Sequence, residues 1–155
     1  MLFDFSKVQK DYLTAVLKAE KSGSFSGWFI GHKEEDKITY FSDGHFVACI
    51  PDQMCYVKAA GRVRVLDNPG FLDNNLIAEA EQVELFDRGM RKKIDSRKVN
   101  VCILENDDFC VWVNEKLLNY FTGMRVHFMG KSPVNPVMVY MGEQLVGIIM
   151  PIKQP

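Results

Sequence analysis

The sequence predicts an α+β fold built from two βαβββ halves, with two helices packed on antiparallel sheets. Three observations predict it. One amphipathic helical period stands near each end of the chain, each followed by three short runs rich in aromatic and β-branched residues. Turn residues separate those runs. Each half closes on a proline, Pro51 in the first and Pro151 in the second. The chain of 155 residues has the length of one domain. Within it, 1–60 reads as an N-terminal half, 61–98 as a poorly legible connection, and 99–155 as a C-terminal half.

The first helix is expected over Ser6–Lys21. Val8, Tyr12, Ala15, Val16 and Ala19 recur at three- and four-residue steps and make an apolar stripe. Ser6 is placed to cap the start and Gly23 to close the end. Lys7, Lys10, Lys18 and Lys21 fall off the stripe, offset by Asp11 and Glu20, and read as a solvated face. Three strands follow, starting at Trp28, Ile38 and His45. The charged stretch Gly31–Lys37 separates the first two, and Ser42-Asp43-Gly44 makes a tight hairpin between the second and third. Pro51, which has no N–H to give to a ladder, ends the last.

In the middle, Arg62–Leu66 alternates as a strand would, and Asp67–Gly70 is a turn cluster. Leu76–Phe86 fits a helix or a strand. Arg88–Lys98 is strongly basic: Arg88, Arg91, Lys92, Lys93, Arg97 and Lys98 stand against a single Asp95. The pattern then clears. Val99–Leu104 and Phe109–Val113 are strands around the turn Asn106–Asp108. Asn114 caps a short helix, Glu115–Phe121, with Leu117, Leu118 and Phe121 facing inward and Gly123 at its end. Strands at Arg125–Met129, Pro136–Met141 and Gln144–Met150 complete the chain, the last two joined by a turn at Gly142-Glu143.

Composition narrows the function classes. There are 19 Lys plus Arg against 20 Asp plus Glu, so any nucleic-acid contact must come from a local patch, because counterion release needs clustered base. Cys49, Cys55, Cys102 and Cys110 lack metal-ligand spacing among themselves and with His32, His45 and His127. They read as reduced, largely buried thiols. Met1–Phe5 lacks the basic and apolar regions of a signal peptide, and no run approaches the ~18 apolar residues of a membrane helix. A soluble, cytoplasmic protein with no membrane partner is the expectation.

No catalytic, metal or cofactor site emerges. Asp43, His45 and Cys49 superficially offer a carboxylate, a base and a nucleophile. On an extended strand at ~3.3 Å per residue, however, His45 and Cys49 lie about 13 Å apart. Phosphate-cradling glycine motifs are absent, and the paired acids Asp107-Asp108 and Glu34-Glu35-Asp36 sit in turns. The Arg88–Lys98 cluster is the candidate for phosphate contact, a solvated basic loop being its plain alternative. No aromatic residue interleaves with it to stack on bases.

The stretch from Phe109 to Lys153 carries a resemblance. In order it holds Val113-Asn114, Lys116-Leu117-Leu118, Val126-His127-Phe128, Ser132-Pro133, Pro136–Val139 and Gly147–Ile152. That order resembles the closing stretch of the bacterial DNA sliding clamp, the polymerase III β subunit. The likeness covers about 45 of the 155 residues, the size of a supersecondary unit. It implies a DNA-clamp-like domain that is noncatalytic and serves replication, for instance as a phage or mobile-element processivity scaffold. The implied partners are double-stranded DNA, a polymerase or other replication protein, and further copies of the chain, since a ring of single domains needs about six. DNA would meet the Arg88–Lys98 cluster and Lys7 and Lys10 of the first helix. Met150, Pro151 and Ile152 match the edge of the family's apolar peptide groove, and a core-facing strand end is the alternative for them. A protein-interaction or self-assembling module with this architecture and no DNA contact is the second functional expectation.

Overall fold

In the structure, a computed structural model that describes residues 5–58, 64–66, 78–123 and 125–154, the chain divides into two units. One is Phe3–Asn74; the other is Asn75–Pro155 together with Met1–Leu2.

The first unit opens with helix α1, Ser6–Ser22. Val8, Tyr12, Val16 and Ala19 are buried, as their spacing predicts, and Gln9 is buried beside them. The helix is entered from Phe5 without a side-chain cap, so Ser6 is the first helical residue and not the cap the sequence suggests. Gly23 closes it in the left-handed conformation, its N–H bonded to the Ala19 carbonyl. Strands β1 (Phe29–Lys33), β2 (Ile38–Ser42) and β3 (Phe46–Pro51) form an antiparallel meander. The stretch expected to be a turn from Gly31 is strand as far as Lys33. Only Glu34–Asp36 turns, as a single 3₁₀ turn that Lys37 ends at positive φ. Gly31 fits in the strand because the Tyr40 ring lies across it on the paired strand; a Cβ there would sit 2.2 Å from Tyr40 Cζ.

Between β2 and β3, the Ser42 hydroxyl and the Asp43 carboxylate accept the N–H groups of Gly44 and His45 at 3.0 and 2.8 Å. Edge-to-face rings fill the core of the unit: Tyr12 against Phe41 (5.1 Å) and Trp28 (6.0 Å), and Trp28 against Phe46 (5.8 Å). Gln9 is held because its side-chain nitrogen and oxygen are both hydrogen-bonded. Its amide donates to the Met54 carbonyl at 3.1 Å and its oxygen accepts from the Tyr56 N–H at 2.8 Å. Tyr12 donates to the Lys58 carbonyl at 2.7 Å. These bonds lay the segment after β3 along α1, and strand β4 (Arg64–Leu66) then joins the far edge parallel to β1. The order β4-β1-β2-β3 is therefore mixed, where a wholly antiparallel sheet is the expectation. Residues 1–4, where the strand that opens the first βαβββ half would fall, and the turn Asp67–Gly70 lie outside the described residues.

The second unit is antiparallel throughout. Strand β5, Val83–Ile94, follows a 3₁₀ turn at Glu79–Glu81. Then come β6 (Val99–Glu105), β7 (Cys110–Asn114), helix α2 (Glu115–Leu118, continued as a 3₁₀ turn over Asn119–Phe121), β8 (His127–Gly130), β9 (Val137–Met141) and β10 (Gln144–Ile149). Their order is β10-β9-β8-β5-β6-β7. The basic segment is thus not a loop: Arg88 to Lys93 are strand, and only 95–98 turn. β5 changes partner along its length, with Val83–Leu85 pairing β8 and Phe86–Ile94 pairing β6. Just past that change, within the β6 pairing, the register is broken by a bulge between Asp87 and Arg91, where Gly89 takes φ 83° and gives its N–H to Asp87 Oδ1. Only glycine adopts that conformation without strain.

Asn114 caps α2 by accepting from the Lys116 N–H at 2.9 Å. Leu117, Leu118, Tyr120 and Phe121 are all buried. The Phe121 ring packs on Gly147 of β10, where a Cβ would lie 2.1 Å from Phe121 Cζ. The fold class is α+β.

Candidate nucleic-acid interface

The β5–β6 hairpin carries the basic cluster, and side-chain alternation sorts its members. Register places Arg91 opposite Cys102 and Lys92 opposite Val101, so successive cations face opposite sides of the sheet. Arg91 is built into the protein. Its Nη1 and Nη2 donate to the two oxygens of Asp87 at 2.9 and 3.2 Å, and its Nε lies 2.7 Å from Glu115 Oε2 at the start of α2. The Arg91 guanidinium holds the Asp87 carboxyl below the usual carboxylate range. Burial, with Asp87 close by, pushes the Cys102 thiol up to about 12. Arg88 is also engaged, with Nη1 3.1 Å from Glu105 Oε1 and its guanidinium 5.5 Å from the Phe86 ring centroid. Two of the six cations are therefore neutralised by structural carboxylates.

Lys93, Arg97 and Lys98 are exposed and make no ion pair among the described residues. Lys92 stands 4.8 Å above the Trp112 ring, a cation–π contact. Trp112 lies on β7, opposite Ile103, and belongs with Val101 and Ile103 to an apolar cluster. An aromatic residue does accompany the basic cluster, brought there by strand pairing from twenty residues away. A strict reading of neighbouring positions misses it.

Ile152 packs on that same cluster, with its N–H bonded to the Trp112 carbonyl at 2.7 Å. Gln154 continues the contact by donating to the Cys110 carbonyl at 2.9 Å. The chain after β10 thus runs along the edge of β7. Of the three residues matched to a peptide groove, Ile152 faces this apolar cluster, Pro151 is half-buried and Met150 is 39 % exposed. Lys7 and Lys10 lie on the exposed side of α1, in the other unit.

Elsewhere, Cys49 is fully buried on β3, and burial pushes its thiol up to about 12. The Asp43 carboxylate is occupied by the hairpin turn. A cluster that sequence spacing does not suggest forms around His32, whose two ring nitrogens lie 2.8 Å from Asp52 Oδ2 and 3.2 Å from Glu34 Oε2. Thr39 donates to the other Asp52 oxygen at 2.9 Å. The hydrogen bond that the imidazole donates to Asp52 holds the ring above its ordinary pKa and the carboxyl below its own. With a carboxylate at each nitrogen, this ring ties two turns together and has no nitrogen left to serve as a base. Among the described residues no three His, Cys, Asp or Glu side chains group as a metal site, and no helix is long and apolar enough to cross a membrane.

Comparison with protein-family models, with curated proteins and with solved structures yields no match.

Proposed function

We propose that the chain is a noncatalytic, DNA-clamp-like domain acting as a DNA- or polymerase-associated scaffold in replication. One observation carries the DNA contact: Lys93, Arg97 and Lys98 are exposed at one end of the β5–β6 hairpin without carboxylate partners among the described residues. Cations left unpaired at an exposed turn are available to displace counterions from a phosphate backbone. The ordered likeness from Phe109 to Lys153 supplies the clamp part of the reading, and the succession strand, short helix, three strands is consistent with it. The test is fluorescence anisotropy of a labelled 20-base-pair duplex against the wild type and the triple variant Lys93→Ala, Arg97→Ala, Lys98→Ala. At a slope of about 0.9 per phosphate, three contacts account for about 40-fold of the affinity lost between 50 and 200 mM salt. The triple variant should lack that portion. Equal salt dependence in the two proteins would refute the contact.

A second reading, a protein-interaction or self-assembling module without DNA contact, is favoured by Leu13 and Leu17. They stand 39 % and 64 % exposed on α1, one helical turn apart. Under this reading, sedimentation velocity shows concentration-dependent association that Leu13→Lys with Leu17→Lys abolishes, while the duplex leaves the anisotropy unchanged.

A further inference from the structure

We infer that the hollow between the β5–β6 turn and the chain after β10 binds the phosphates of a nucleic-acid backbone, with Lys92 and Lys153 completing the contact begun by Lys93 and Arg97. The inference deepens the DNA-associated reading and rests on it. The hollow measures about 460 Å³ and receives Lys92 and Lys93 from the strand, Arg97 from the turn, and Lys153 from the C-terminal segment. Trp112 and Gln154 line it as well. Lys92, Arg97 and Lys153 reach it from three separate stretches, Lys93 borders it from the next position of the strand, and no Asp or Glu is among the described lining residues.

The convergence is built. Ile152 and Gln154, the neighbours of Lys153, are each anchored to β7 by a hydrogen bond, at 2.7 and 2.9 Å. Lys92 is positioned by the Trp112 ring beneath it. Gathering like charges with no Asp or Glu among the described lining residues is unfavourable for the isolated protein, and a polyanion relieves it. Trp112 is only 8 % exposed and already carries Lys92, so its ring is not open for a base to stack upon. The contact is therefore to phosphates and independent of base sequence.

The test uses the whole chain. Lys92→Ala and Lys153→Ala are titrated against two labelled 20-base-pair duplexes of different sequence between 50 and 300 mM KCl. Lys131→Ala serves as a control, since that lysine pairs with Glu81. Each hollow variant should lower the slope of log K against log salt by about 1, equally for both duplexes, and the control should not. Trp28→Phe leaves Trp112 the sole tryptophan of the two. In that background the duplex should change the emission, high salt should reverse the change, and Lys153→Ala should remove it.

If the duplex binds while both slopes and the Trp112 emission stay as in the wild type, the hollow is not the site and the DNA reading survives without it. Absence of duplex binding at 50 mM overturns both. Saturable binding of a poly-glutamate peptide that moves the Trp112 emission at lower concentration than the duplex makes this an acidic-protein site and overturns the inference.

Discussion

Arg91 sits in the middle of the basic run, yet its role differs from that of its neighbours, and replacing it with alanine tests the division. The substitution removes a bidentate bond to Asp87 and a contact to Glu115, leaving two carboxylates that are each roughly 30 % exposed without their counter-charge. Surface pairs contribute about 0.2–1 kcal/mol each. Bidentate geometry and partial burial place this pair of contacts at about 1–2 kcal/mol together. For a chain of this size that corresponds to a fall in Tm of about 2–8 °C by circular dichroism. The pH dependence follows from Asp87. Its folded pKa is lowered, so its contribution is fully present above the ordinary carboxylate value and is lost as pH falls through the folded one. The gap in Tm between wild type and Arg91→Ala should therefore hold steady from pH 5 to 8 and narrow below about 4. Duplex affinity, measured well below the Tm, should be nearly unchanged. A variant as stable as the wild type that has lost as much affinity as Lys93→Ala would refute the reasoning, because Arg91 would then be a phosphate contact and not a tie between β5 and α2.

Three further outcomes are expected. His32→Gln should lower stability by a few tenths of a kcal/mol at pH 5–6, the groups being largely exposed. The histidine's share is full below its ordinary value near 6.5 and fades as pH rises through the raised folded value, whereas the Asp52 share is lost only as pH falls below about 4; a Tm difference that grew above pH 7 would contradict this. Gly147→Ala should cost about 1–3 kcal/mol in urea denaturation, since its Cβ would meet the Phe121 ring at 2.1 Å, and Phe121→Leu in the same chain should recover part of the loss. Cys49 and Cys102, both shielded and with thiols raised to about 12, should resist Ellman's reagent at pH 8 until the protein is unfolded in guanidinium.

The helices and the hairpin meander were legible because their signals are local. The stripe Val8-Tyr12-Val16-Ala19, the Asn114 cap and the glycines at 23 and 123 act through neighbours a turn away. Gln9 was not legible: a glutamine one position off the stripe reads as solvated, and only the return of Met54 and Tyr56 past α1 makes it a buried clamp. The parallel β4 was hidden for the same reason, since the direction of an edge strand depends on how the intervening segment is tied down. β5 failed as a pattern because Gly89 breaks its alternation, and because its exposed, charged residues lack the apolar face by which strands are recognised.

The site divides along the same line between local and long-range signals. Counting Lys and Arg found the Arg88–Lys98 cluster despite a net charge of −1. Counting alone treats the six cations as equal. Pairing separates them, because a bulge at Gly89 turns Asp87 toward Arg91, and β6 brings Glu105 to Arg88. What remains uncompensated is carried to the far end of the hairpin, where β7 supplies Trp112 and the chain after β10 supplies Lys153. A polyanion meeting this surface would be drawn to the turn and not along the whole strand. The number of phosphates engaged should then follow the unpaired cations, near four or five including Lys98, in place of the six basic residues counted from the segment. A salt slope near 4 supports that division. A slope well above it would mean that Arg88 and Arg91 give up their carboxylates on binding, which their measured effect on stability in the free protein would independently constrain.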